Sequence, residues 1–136
     1  TGIIRNLLQV LVNKIYRSRS TRKVVIDHKY ISVFLKLQEL IEQNCKNDKS
    51  VRFYANKLNM TTKTLNNVTQ HVIKKSPKLL IDEILVLQIK RELINTNLTI
   101  KEIAYSSGFD EPTNLFKFFR RFSNQTPEQF RITHSY

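Results

Sequence analysis

Apolar residues recur along this chain at helical spacing. From Ile3 to about Arg17 they fall at Ile3, Ile4, Leu7, Leu8, Val10, Leu11, Val12, Ile15 and Tyr16. That is a broad face with no glycine or proline inside it, and it must be covered by this chain or by a second copy. The Arg-, Ser- and Lys-rich stretch 17–23 reads as a linker, with residues 24–26 extended. A second amphipathic segment, Tyr30 to Asn44, carries Ile31, Phe34, Leu35, Leu37, Leu40 and Ile41. Ser50 is placed to cap a helix bearing Val51, Tyr54, Ala55 and Leu58, and Thr61 or Thr62 to cap one bearing Leu65, Val68 and Val72. Ser76-Pro77 marks a fresh start, after which Leu80, Ile81, Ile84, Leu85, Leu87, Ile89, Leu93 and Ile94 predict one long helix to Asn95. Thr99 caps a short helix with Ile103 and Ala104, and Glu102 completes a capping box with it. Pro112 opens a helix carrying Leu115, Phe116, Phe118, Phe119 and Phe122, and Thr126-Pro127 starts a last turn with Phe130. The pattern is all-α.

Composition removes alternatives. The 136 residues hold two glycines, Gly2 and Gly108, too few for a phosphate-cradling loop or for the many turns of a β-sandwich. Cys45 is the only cysteine, so neither an internal disulfide nor a thiolate metal cluster is expected, which suits a reducing cytoplasmic setting. His28, His71 and His134 are widely separated, without ligand spacing. No apolar run has the length of a membrane span. No acid–base pair, activated nucleophile or metal set is visible, so an enzyme and a cofactor are not expected. The net charge of +12 favours a polyanionic partner. The excess is not confined to a tail: residues 1–50 hold ten Lys or Arg against four Asp or Glu, and residues 51–136 thirteen against seven, so each part carries +6.

Two segments repeat. Val51, Ala55, Leu58, Met60, Leu65 and Val68 are echoed by Ile100, Ala104, Ser107, Phe109, Leu115 and Phe118 or Phe119, with one extra residue in the second turn. Ala55 and Ala104 stand 49 residues apart, each four residues before a turn residue, Asn59 or Gly108. Two helices crossing after a tight turn approach closely, so a small residue belongs at the crossing and a left-handed residue at the exit. The outer face of the second helix is then free, as in a helix-turn-helix that enters the DNA major groove.

At these positions the chain resembles a known family. Lys101-Glu102-Ile103-Ala104, Gly108-Phe109, Leu115, Lys117, Phe119-Arg120, Thr126-Pro127 and Phe130-Arg131 are similar to the DNA-binding domain of AraC/XylS-type bacterial transcription regulators. Tyr54-Ala55, Leu58, the threonines at 61, 62 and 64, Leu65 and Ser76-Pro77 match its first repeat. The resemblance spans Phe34 to Arg131. It departs at Lys74 and Asn124, where the family has glycine, and at Asn67 and Lys117, where it has arginine. Asn124 can still turn left-handed, and Lys117 offers a point charge in place of a bidentate fork.

The resemblance implies two helix-turn-helix subdomains, about 50–74 and 99–123, joined by a linker helix at about 78–95. Residues 30–136 form the DNA-binding domain. Residues 1–29 hold the amphipathic N-terminal helix and linker left from a sensing and dimerising domain. Thr1 in place of Met agrees with a fragment. Ile4, Leu7, Leu8, Leu11 and Ile15 are the expected dimerisation face. Residues opposite the apolar stripes are the expected base readers: Lys63, Thr64, Asn66 and Asn67 on the first recognition helix, and Thr113, Asn114 and Lys117 on the second. Thr62, Gln70, Thr99, Arg120 and Arg121 are expected at phosphates. Phe116 either packs on the linker helix or lies exposed against a thymine methyl or a sugar. The five phenylalanines between Phe109 and Phe122 read as core rather than a base-stacking platform.

The expected partners are double-stranded DNA, RNA polymerase and a second copy of the chain; no membrane is expected. A proline at Ile89 is expected to leave each half partly folded and to lose tight binding. The alternative is a helical interaction module that uses the N-terminal apolar face, its basic charge incidental. RNA recognition is disfavoured for want of an aromatic platform on a sheet.

Overall fold

The computed structural model describes residues 24–135, and among them finds helices and no strand. In chain order these are α1 (Val24–Asn44), α2 (Val51–Lys57), α3 (Thr62–Ile73), α4 (Pro77–Asn95), α5 (Ile100–Ser106), α6 (Pro112–Arg120) and α7 (Pro127–His134). The Ile3–Tyr16 segment and the linker after it lie outside the described residues, and with them the dimerisation face. Residues 24–26 are helical rather than extended. β-Branched residues favour strands only where a neighbouring strand receives them, and here the helix simply continues.

Five helices start at the capping residues the sequence offers. The hydroxyls of Ser50, Thr61, Ser76, Thr99 and Thr126 each accept from the backbone N–H three residues on, at 3.0–3.2 Å. Each such bond stabilises its helix by about 1 kcal/mol. At Thr99 only the hydroxyl half of the expected capping box forms. The reciprocal box is made instead at Thr126, where the Gln129 side chain returns to the Thr126 N–H. Pro77, Pro112 and Pro127 all lie in the first helical turn, where a missing N–H costs nothing.

The internal repeat is a repeat of geometry. Asn59 has φ 55° and Gly108 φ 89°, both left-handed. Around the first, the Met60 N–H donates to the Ala55 carbonyl at 3.0 Å; around the second, the Phe109 N–H donates to the Ala104 carbonyl at 3.0 Å. These equivalent bonds end α2 and α5 in the same way. Lys74 also adopts the left-handed region, φ 59°, closing α3 without the glycine the family uses there. Asn124 does not: α6 instead runs out through Arg121 in right-handed geometry.

α4 is the spine. It packs against α1 and α3 on one side of the chain order and against α5 and α7 on the other. Its Leu80, Ile84, Leu85, Ile89 and Leu93 are buried in one cluster with Phe34, Leu37, Tyr54 and Leu65 from the first half and with Ile103, Leu115 and Phe119 from the second. Leu87 and Ile94, apolar by type, face outward on the same helix. Within the core the Gln88 amide donates to the Glu42 carbonyl at 2.9 Å and accepts from the Cys45 thiol at 3.3 Å. Burial pushes that thiol up to about 11, so it stays protonated near neutral pH. Burial likewise raises the Tyr54 hydroxyl, which donates to the Asp48 carbonyl at 2.6 Å.

The loop between α1 and α2 reaches across to the second turn. Lys49 donates to the Ser107 carbonyl at 2.9 Å and lies 4.9 Å from the centre of the Phe109 ring. Burial holds its ammonium below the usual lysine range. The Lys46 carbonyl comes so close to Gly108 that an added Cβ would stand 2.2 Å from its oxygen. Gly108 therefore meets two demands, a left-handed turn and a backbone approach.

Candidate nucleic-acid interface

α3 and α6 present matched outer faces. With the extra residue in the second turn the repeat runs at an offset of 50, so Leu65, Val68 and Thr69 correspond to Leu115, Phe118 and Phe119, all six buried. The same offset carries Lys63, Thr64, Asn66, Asn67 and Gln70 onto Thr113, Asn114, Phe116, Lys117 and Arg120. Every one of these ten side chains is exposed. Two buried stripes anchor the helices, and two strips opposite them face solvent.

The strips contain no carboxylate: α3 reads TKTLNNVTQHVI and α6 PTNLFKFFR. Their N-terminal N–H groups, half-open cationic sites by the helix dipole, meet no acid within the first turn. Asp110 and Glu111 precede α6, and Glu111, its N-cap, makes no side-chain capping bond. Thr62 is exposed at the start of α3, and Thr99 is exposed at the start of α5.

Arg120 and Arg121 part company. Arg120 stands exposed on the outer strip of α6. Arg121 donates to the Asp82 carboxylate at 3.1 Å, and its guanidinium lies over the Phe118 and Phe122 rings at 5.3 and 5.4 Å. Asp82 is buried in α4 and also pairs with Lys78 at 3.2 Å. The carboxylate thus ties the spine to the end of α6, a role the chain pattern did not reveal. In the sequence Asp82 is one of several charged residues of this helix, with Glu83, Lys90, Arg91 and Glu92, and nothing singles it out. Arg131, next to the buried Phe130, donates to the Leu93 carbonyl at 2.9 Å and fixes α7 on the end of α4.

Concavities open on the surface of the described residues. A groove of about 310 Å³ between α6 and α7 is lined by Phe116, Lys117, Arg120, Thr126 and Glu128. A cleft of about 330 Å³ lies where α1 and α4 end, and holds the Lys46–Glu92 ion pair together with Gln88, Arg91 and Thr96. Among the described residues no group of His, Cys, Asp or Glu could hold a metal ion, and no helix is long and apolar enough to cross a membrane.

Residues 54–132 match the family model described as a helix-turn-helix domain. No curated protein matches the chain. Solved structures share the fold. The xylose-binding transcription activator xylR is 16% identical with a TM-score of 0.70, covering 77% of this chain and 28% of that one. The C-terminal domain of AraT, a response regulator from Geobacillus stearothermophilus, is 22% identical with a TM-score of 0.71, covering 76% and 87%. The DNA-binding domain of AdpA, a global transcriptional factor solved with a target DNA, is 21% identical with a TM-score of 0.66, covering 72% and 88%. The chain thus spans little more than a quarter of the xylose-binding activator.

Proposed function

Because the chain belongs to the AraC-type helix-turn-helix family of DNA-binding transcription regulators, we propose that it reads a bipartite duplex site through α3 and α6, one recognition helix to each of two successive major grooves. One observation carries this: two outward, carboxylate-free strips in the same register, on two helices locked to a single spine. The 19 residues of α4 give it a length of about 28 Å. Successive major-groove entries on one face of DNA lie about 34 Å apart, a span that one helix and its flanking units can set.

Lys63, Thr64, Asn66 and Asn67 are the proposed readers in one half-site, with Asn67 suited to an adenine edge and Lys63 to guanine. Thr113, Asn114 and Lys117 are the readers in the other. Thr62, Gln70, Thr99 and Arg120 are proposed at phosphates. Arg121 joins them only through the exposed part of a guanidinium already held by Asp82. The pairing of two chains through the Ile3–Tyr16 face, and action on RNA polymerase, extend the proposal and rest on the family resemblance.

Affinity measured against salt tests the reading. Binding is expected to fall steeply, with about 0.9 in the log–log slope for each phosphate neutralised by a lysine or arginine. Arg120→Ala is expected to lower the slope by about one such step and to weaken all duplexes alike, whereas Asn67→Ala relaxes the preference for sequence. A flat salt response would contradict the proposal.

A further inference from the structure

We infer that Phe116 is a specificity-determining residue that reads a thymine 5-methyl group in the half-site beneath α6; the inference rests on the DNA-binding reading above. The repeat supplies the first argument. Phe116 occupies on α6 the position that Asn66 occupies on α3, in the middle of the outward strip. Thr113 stands one turn before it and Arg120 one turn after, so whatever those two approach, the phenyl ring approaches as well.

Burial supplies the second. Phe118 and Phe119 are 8% and 0% exposed and hold α6 to the core, while Phe116 remains 37% exposed. The ring is not among the buried core residues. It lines the groove it shares with Lys117 and Arg120 and, on the α7 side, with Thr126 and Glu128, so two cations stand there against one carboxylate.

Chemistry supplies the third. A phenyl ring can neither donate a hydrogen bond nor accept one from a base edge. In the major groove the apolar feature that distinguishes one base from the others is the C5-methyl of thymine. The two half-sites are then read differently: a polar amide at position 66 in one, an apolar ring at position 116 in the other.

The test removes that methyl alone. A duplex selected by the 136-residue chain from a random pool is resynthesised with deoxyuridine replacing each thymine in turn. One replacement in the half-site assigned to α6 is expected to weaken wild-type binding about fourfold, the equivalent of one buried methyl. Phe116→Ala is expected to bind thymine and uracil alike at that position, and Phe116→Leu to retain part of the discrimination. Both variants are expected to unfold near the wild-type temperature, since the side chain lies outside the buried core. If no thymine in that half-site is methyl-sensitive in the wild type, the assignment fails whatever the variants do. It also fails if Phe116→Ala keeps the wild-type sensitivity. A chain that selects no duplex at all overturns the DNA-binding reading itself, whereas selective binding without a methyl-sensitive thymine overturns only the role of Phe116.

Discussion

Gly108→Ala is expected to destabilise the protein by about 3 kcal/mol or more, a large share of the roughly 5–15 kcal/mol that holds a domain together. Two costs combine. At φ 89° an L-residue is strained, by about 1–3 kcal/mol. The new Cβ would also stand 2.2 Å from the Lys46 carbonyl oxygen and 2.6 Å from the Lys49 ammonium. The lysine tip can swing away, but the backbone carbonyl can yield only if the α1–α2 loop lifts off the second turn. That would break the Lys49–Ser107 bond and expose the face of Phe109. Asn59→Ala supplies the internal control. Asn59 holds the equivalent turn at φ 55°, and losing its tolerance for that conformation costs about 1 kcal/mol. Urea denaturation of the two variants checks the contrast. Equal small losses would show that the loop does not bear on the second turn.

Ile89→Pro is expected to abolish folding of the described domain as a whole. Proline inside a helix costs about 3 kcal/mol through the lost hydrogen bond and the clash with the preceding turn. Truncating a fully buried isoleucine in a packed core adds about 2–5 kcal/mol. The sum reaches the stability of a typical domain. From the chain pattern alone the same substitution is expected to leave two half-folded units. The packing argues for the larger loss, because α4 shares one apolar cluster with α1, α3, α5 and α7. Circular dichroism of the variant should show most of the helix signal gone at 25 °C, with DNA binding lost alongside. Retained helicity, with one half-site still bound, would mean that the halves fold independently.

Both results turn on contacts that periodicity does not encode. Helix positions and most caps were legible, since Ser50, Thr61, Ser76, Thr99 and Thr126 act within three residues of themselves. The repeat was legible because equal turns need equal residues, alanine at the crossing and Asn59 or Gly108 at the exit. The outward strips followed from the buried stripes. What was hidden depends on distant parts of the chain. Asp82 reads as one more charge among Glu83, Lys90, Arg91 and Glu92 until Arg121 meets it, 39 residues on. Lys49 reads as a loop charge until Ser107 and Phe109 come beneath it. Gly108 was legible as a turn residue, but the Lys46 carbonyl pressed against it was not. Periodicity allows Phe116 either side of the helix, and only the packed structure gives its exposure, 37%.

On the function proposed above, α3 and α6 read one bipartite duplex site. Selection of bound sequences from a random duplex pool tests it most directly, performed with the wild type, with Asn67→Ala and with Lys117→Ala. The wild type should enrich two short motifs on the same face of the helix, about 10–10.5 base pairs apart centre to centre. Asn67→Ala should blur one motif and leave the other sharp, and Lys117→Ala should do the reverse. A single motif, or two motifs that blur together under either substitution, would rule out a bipartite site read by α3 and α6.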